Sequence, residues 1–386
     1  MRTLAVRLAL GCLVASLARL AGGVTIDHSS IPVATNAPQA VMVKVGMLRW
    51  FFTHASVGGN MTTGMNVLRQ SDTNRYRLVI YNYDGDNSDS AYHGGVATAG
   101  SEGGDDYRAA NPPATSNGTI YECMRGNPTW DNKVVCFSNS LAVSGWRFPR
   151  VNVAMDKFCW IDPDANPATY CASMNALEGR FPETLLVYAT MPLTTETAGS
   201  ENDSRNAFNR YVRSYCQTNG KWLLDVADVV AWTTNGVQST YVSGAVTNQR
   251  MVSTYALDAG GGDFHLNATG RRQTALAWYA LAASLFQQDR DADGMSDGDE
   301  LLAGTRPTDA ASRLSFTAAR PDGLGLVLRW TSSSNRSYVI QAASNLTTGA
   351  TWTNVTAGIA ATAPQNTYTA SVGSASALFF RATVQQ

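Results

Sequence analysis

Between residue 24 and about residue 287, short apolar runs alternate with longer segments of helical period, and this alternation is what most limits the fold. Five runs read as strands: 47–53, 76–82, 151–161, 184–190 and 222–226. They are nearly continuous in apolar character, as strands buried on both faces are. Helical segments at 61–69, 133–141, 168–177, 204–218 and 268–286 fall between them. The expected fold is α/β: a flavodoxin-like, doubly wound parallel sheet of about five strands in three α/β/α layers. The stretch 84–127 is rich in Gly, Asn, Asp and Ser and reads as a long excursion over one face rather than core. Tyr92, Tyr107, Tyr121, Trp130 and Trp146 in and around it either line a sugar cleft or simply anchor the excursion.

The pattern changes at Asp289. Asp289, Asp291, Asp293, Gly294 and Glu300 match the calcium-loop spacing D-x-D-x-D-G-x5-E in full. A hard cation takes oxygen ligands, here from Asp289, Asp291, Asp293, the Met295 carbonyl, Asp297 and Glu300. The expectation is a structural calcium site stiffening a junction over 288–310. Beyond 311, six alternating runs (314–318, 325–331, 337–342, 351–355, 367–371 and 377–384) predict a small all-β sandwich. Trp330, Tyr338, Trp352 and Phe380 are its expected core.

Several function classes are excluded by composition. The 386 residues carry a net charge of -1 with 15% charged side chains, so no basic surface is available for nucleic acid. No G-x-G-x-x-G follows a strand, so no nucleotide cofactor is expected. Residues 1–23 have the three parts of a secretion signal: Arg2 and Arg7, an apolar stretch at 8–17, and Ala21-Gly22-Gly23. No later run approaches the ~20 apolar residues of a membrane span. A secreted or periplasmic chain is therefore expected, with 24–287 as its main domain. Cys123, Cys136, Cys159, Cys171 and Cys216 remain after the leader, allowing at most two bridges. Cys123 with Cys136 is the first pair to consider and Cys159 with Cys171 the second; connectivity is not readable from spacing.

Two segments carry chemistry. Phe51-Phe52-Thr53-His54-Ala55-Ser56-Val57-Gly58-Gly59-Asn60 reads as strand, tight turn and helix start, with Gly58 and Gly59 giving backbone freedom and Asn60 placed to cap the helix. A serine there is exposed at the carboxyl end of a sheet beside a helix N-terminus. Alone, the segment favours the plainer reading of Ser56 as an N-cap or turn residue. The second segment, Gly260-Gly261-Gly262-Asp263-Phe264-His265, puts an acid and a histidine in a glycine loop ahead of an amphipathic helix at 271–286. A serine nucleophile needs such a base and an acid to orient it. Of the four histidines, only His265 has this setting.

With both segments in hand, residues 43–286 resemble the SGNH/GDSL hydrolase superfamily, in the branch whose first block reads FxHxSVG. Phe52-Thr53-His54-Ala55-Ser56-Val57-Gly58 is that block here. Gly126-Asn127-Pro128 with Lys133, Asp156-Lys157-Phe158-Cys159-Trp160-Ile161-Asp162, Ala189-Thr190-Met191-Pro192-Leu193-Thr194 and Arg205-Asn206-Ala207-Phe208-Asn209 follow in order. The resemblance implies a serine esterase or deacylase with Ser56 as nucleophile, His265 as base, and no cofactor for catalysis. It implies oxyanion donors from the Ser56 N–H, Gly126 and a side chain. The family's third-block G-x-N-D is absent, leaving Asn127 or Lys157 for that side chain. The usual D-x-x-H is altered too: Asp263 stands two residues before His265, with Asp258 as the reserve acid. The C-terminal part is similar to the calcium-loop linkers and fibronectin-like sandwiches that end exported bacterial enzymes, its loop resembling those of thrombospondin type 3 repeats. The implied activity is removal of acyl groups, acetyl among them, from a polysaccharide or glycan. The competing reading is an SGNH-like fold of little or no catalytic power that binds carbohydrate or serves at the cell surface.

Overall fold

The computed structural model of the chain describes residues 22–82, 118–124, 127–143, 151–323, 325–334, 336–347, 350–372 and 378–385. The expected leader lies almost entirely outside them, as do Tyr92, Tyr107, Trp146 and Gly126. Among the described residues, 22–287 form one compact unit and 288–385 a second. No helix of the described chain is long and apolar enough to cross a membrane.

The first unit is built on seven parallel strands: β1 (Val24–Ile26), β2 (Trp50–His54), β3 (Val79–Asn82), β4 (Thr119–Met124), β5 (Val153–Asp156), β6 (Leu185–Ala189) and β7 (Trp222–Leu224). Their order across the sheet is β1-β7-β6-β5-β2-β4-β3, and every neighbouring pair is parallel. The sheet is thus α/β as expected but larger, with seven strands rather than about five. β1 has only three residues and closes an edge against β7. β4 corrects the reading of 84–127 as an excursion throughout: its last part is a central strand, with Ile120 and Tyr121 fully buried. Tyr121 accordingly belongs to the core, and Trp130 packs against it; neither shows the open setting of a cleft residue.

The helices are α1 (Ile31–Asn36), α2 (Gln39–Val45), α3 (Val57–Ser71), α4 (Trp130–Val143), α5 (Pro167–Arg180), α6 (Asn202–Thr218), α7 (Val226–Ala231) and α8 (Ala268–Ser284). Alternation along the strands sends side chains to two cores. Phe51, Tyr121, Ala154, Leu186, Tyr188 and Leu223 face α4, α5 and α6, meeting Phe137, Tyr170, Met174, Phe208 and Val212. Trp50 and Phe52 point the other way, onto Trp278 of α8 at ring-centroid distances of 5.2 and 4.8 Å. α8 is buried along nearly its whole length and packs with α1, α2 and α3, so it is a core helix buried on most sides rather than the amphipathic helix its sequence suggests. Asn267 caps it, accepting the N–H groups of Thr269 and Gly270.

The expected disulfides do not form. Cys136, Cys159, Cys171 and Cys216 are free and buried. Cys136, Cys171 and Cys216 sit on three different helices, where their sulfurs fill one apolar core as small hydrophobes. That core burial pushes the Cys171 thiol up to about 12.

Two short hairpins complete the first unit, β8 (Thr240–Ser243) with β9 (Val246–Gln249) and β10 (Ala256–Asp258) with β11 (Asp263–Leu266). In the second unit, β12 (Phe316–Asp322), β13 (Gly325–Thr331) and β16 (Gln365–Ser371) form one antiparallel sheet. β14 (Ser337–Ala343), β15 (Thr353–Ala360) and β17 (Phe379–Gln385) form another. Both sheets feed one core of Leu326, Leu328, Trp330, Tyr338, Ile340 and Ala370, with Phe380 packed against it. Trp352 lies outside that core, half-buried, with the Arg381 guanidinium 4.4 Å from its ring centroid.

Candidate active site

The connection from β4 to β5 crosses β2, so the chain winds to opposite sides of the sheet from β2. The carboxyl end of such a strand opens into a crevice between the flanking loops. Ser56 stands two residues beyond the end of β2, immediately before α3. Its backbone has φ 54° and ψ −106°, and apart from Ala292 it is the non-glycine residue with positive φ among those described. This turn lifts the side chain off the strand and starts α3 directly beneath it. The helix begins at Val57, so Asn60 is not its cap, as the sequence suggested, but a first-turn residue.

Asn60 has another task. Its Oδ1 accepts the Leu266 N–H at 2.8 Å and so ties α3 to the hairpin of β10 (Ala256–Asp258) and β11 (Asp263–Leu266). β11 carries both partners of the serine. Ser56 Oγ lies 2.5 Å from His265 Nε2, and His265 Nδ1 lies 2.6 Å from Asp263 Oδ1. Because the carboxylate only accepts, Nδ1 carries the proton and Nε2 is left to accept from the serine hydroxyl. The two-residue spacing is explained by the strand: residues i and i+2 share a face, so Asp263 reaches the imidazole of His265. Asp263 Oδ1 also accepts the His265 N–H at 3.1 Å. That backbone bond, then the bond to the ring, holds the Asp263 carboxyl below the usual range. Asp258 is not part of this chain of bonds. Its carboxylate accepts the Gly260 and Gly261 N–H groups and shapes the hairpin turn, where Gly262 takes φ +81°.

The oxyanion candidates are less tightly gathered. The Ser56 N–H lies at the N-terminus of α3, where a helix favours negative charge. Asn127 is exposed, three residues past the end of β4, and its Oδ1 accepts from Lys133 Nζ at 3.2 Å. An ammonium only donates, so the Asn127 amide nitrogen is the end turned away from Lys133. Lys157 follows β5 and is fully buried, its ammonium donating to the Phe158 carbonyl at 2.7 Å.

The remaining blocks hold the loops around this edge of the sheet. Lys133 makes a buried ion pair with Asp162 at 2.6 Å, and Asp162 also accepts the Cys159 N–H. Arg205, 1% exposed, donates to the Trp160 carbonyl, Thr194, Glu196 and Glu201. Asn209 bonds both the N–H and the carbonyl of Met191. Trp160, fixed in this way, sets its ring edge-on to Phe264 at 5.7 Å and to His265 at 6.3 Å. The sequence marks Asn60 only as a helix cap and Trp160 only as a member of a block; the bond to Leu266 and the ring contact with His265 have no positional signature.

In the second unit the acidic loop converges. Oxygens of Asp289, Asp291 and Asp293 lie within 4.8 Å of one another. Glu300, on α9 (Asp297–Ala303), is fully buried and takes one bond, from the Thr305 hydroxyl to Oε1. Its Oε2 and the Oδ2 atoms of Asp291 and Asp293 are buried without a donor among the described residues. Burial, then Asp291 and Asp293, push Glu300 up to about 8. Asp291 is also raised, by burial and then by Asp293. Carboxylates gathered without donors fit a divalent cation. Asp289, Asp291, Asp293 and Glu300 would hold it. Asp297 instead has its oxygens on Arg290, accepting that residue's N–H and Nε. The Met295 N–H donates to Asp293 and Gly294 makes the turn at φ +96°.

No family model matches the chain, and no curated protein matches it.

Proposed function

We propose that this chain is an exported serine esterase of the SGNH type that removes acyl groups, acetyl foremost, from a polysaccharide or glycan. The observation that carries the reading is the hydrogen-bonded run Ser56–His265–Asp263, at 2.5 and 2.6 Å, on a strained turn at the carboxyl edge of a parallel sheet. In this reading His265 Nε2 takes the hydroxyl proton as Ser56 Oγ adds to the ester carbonyl. The Ser56 N–H at the start of α3, with Asn127 or Lys157, meets the oxyanion. His265 then returns the proton to the departing sugar hydroxyl, and a water repeats the sequence to free the acid. Trp160 and Phe264 offer an apolar wall beside the base. The leader-like first 23 residues support export. The appended β unit supports a polymeric substrate, and the acidic loop a structural calcium.

The test is fluorophosphonate labelling of the mature full chain, wild type beside Ser56→Ala and His265→Ala. Labelling of the wild type, lost in both variants, is expected, with parallel loss of acetyl-ester hydrolysis. A folded wild type that is neither labelled nor active overturns the reading and leaves glycan binding as the role of the fold.

A further inference from the structure

Beneath the nucleophile turn lies a buried polar cluster that the acyl-transfer chemistry does not use. His54, the last residue of β2, is fully buried, and its Nε2 lies 2.8 Å from Glu122 Oε1 on β4. The same Oε1 accepts the Thr62 hydroxyl from α3 at 2.6 Å. Both Glu122 and Thr62 are buried. The strand that ends at the turn, its neighbour and the helix that leaves the turn are therefore joined at one carboxylate oxygen. His54 Nδ1 is buried and has no hydrogen-bond partner among the described residues, so the ring's polar contact is directed at Glu122. Gly58 completes the fit: a Cβ there would come within 2.4 Å of His54 Cβ and Cγ. The first turn of α3 thus rests on the imidazole, and Ser56 is the residue spanned between the two ends of the cluster.

A positive-φ serine persists only where its surroundings over-determine it. Apolar side chains would fill this space with no desolvation cost, so a buried carboxylate and imidazole here call for a task that packing alone does not perform. We propose that His54, Glu122 and Thr62 are positioning residues that clamp β2, β4 and α3 around the turn and hold Ser56 in its strained backbone conformation. Its catalytic consequence rests on Ser56 being the nucleophile; its conformational content does not.

The experiment pairs crystal structures with fluorophosphonate labelling rates and ester kinetics for the full-length wild type, Glu122→Ala, Glu122→Gln and Thr62→Val. In Glu122→Ala, Ser56 is expected to leave positive φ and the contact with His265 to open. A displacement of that kind costs about 100-fold in labelling rate and in kcat, with KM little changed. Glu122→Gln keeps an acceptor for His54 and is expected to retain the turn and stay within about tenfold of wild type. Thr62→Val is nearly isosteric and is expected to shift Ser56 partway. It decides the matter if Glu122→Ala does not fold. Folded Glu122→Ala or Thr62→Val proteins in which Ser56 keeps its φ overturn the proposal, whatever their activity. An unlabelled wild type whose Ser56 still relaxes in Glu122→Ala leaves the clamp standing and removes the esterase reading.

Discussion

Ser56 holds a backbone conformation that costs a non-glycine residue on the order of 1–3 kcal/mol, and the neighbouring side chains determine whether that cost is useful. The aspartate bonded to His265 is the first such neighbour in the proposed mechanism. Asp263 bonds His265 while Asp258 only shapes the turn, so the two aspartates should separate cleanly. Asp263→Ala is expected to lower kcat by about 10²–10⁴-fold, and Asp258→Ala to leave it near wild type, in ester-hydrolysis assays. Glu122 is the second neighbour. Burial alone would raise its pKa, but the bonds from His54 and Thr62 outweigh burial and hold it below 4.5. The folded state therefore binds this proton less readily than the unfolded chain does. Its stabilising contribution is complete above about pH 4.5 and fades as pH falls through the lower folded value. Urea unfolding between pH 5 and pH 3 should show a shallower loss of stability in Glu122→Gln than in wild type.

At the scale of elements, Ser56 and the histidine bonded to it come from parts of the chain 209 residues apart, and Asn60 is the join. Its bond to the buried Leu266 N–H fixes β11 against α3. Removing it leaves a buried donor unpaired, at a cost of about 1–3 kcal/mol. Asn60→Ala is expected to lower the melting temperature modestly and kcat markedly, since the hairpin then drifts from Ser56. Much of this was readable in advance. The strand read at 47–53 is β2, buried on both faces because it lies inside the sheet, and the serine turn followed from it. The hairpin was not readable as a strand pair, because its glycine-rich turn looks like loop throughout. Hence the two-residue spacing of Asp263 and His265 looked irregular, although on a strand it is the spacing that puts both on one face. β4 was hidden by the polar stretch ahead of it, and β1 by having only three residues.

For the whole molecule, the two units were legible from the change of period at Asp289, and all six C-terminal strands lie near their expected places. Trp352 was misplaced because alternation marks the two faces of a sheet without saying which is inside. A cation held at the acidic loop would give the second unit a dependence of its own. Calorimetric titration of the full chain with calcium should show binding, and chelation should lower the melting transition of this unit. Glu300→Gln, which replaces a carboxylate ligand of the cluster by a neutral amide, should weaken both effects. The cysteines lead elsewhere. An exported chain is usually expected to gain rigidity from covalent cross-links made after translocation. Here four thiols are spent as packing material, and burial holds Cys136, Cys171 and Cys216 far from their reactive form. As far as those four are concerned, folding of the first unit needs neither an oxidant nor an isomerase. It should reach the same state in a reducing cytosol as in an oxidising compartment.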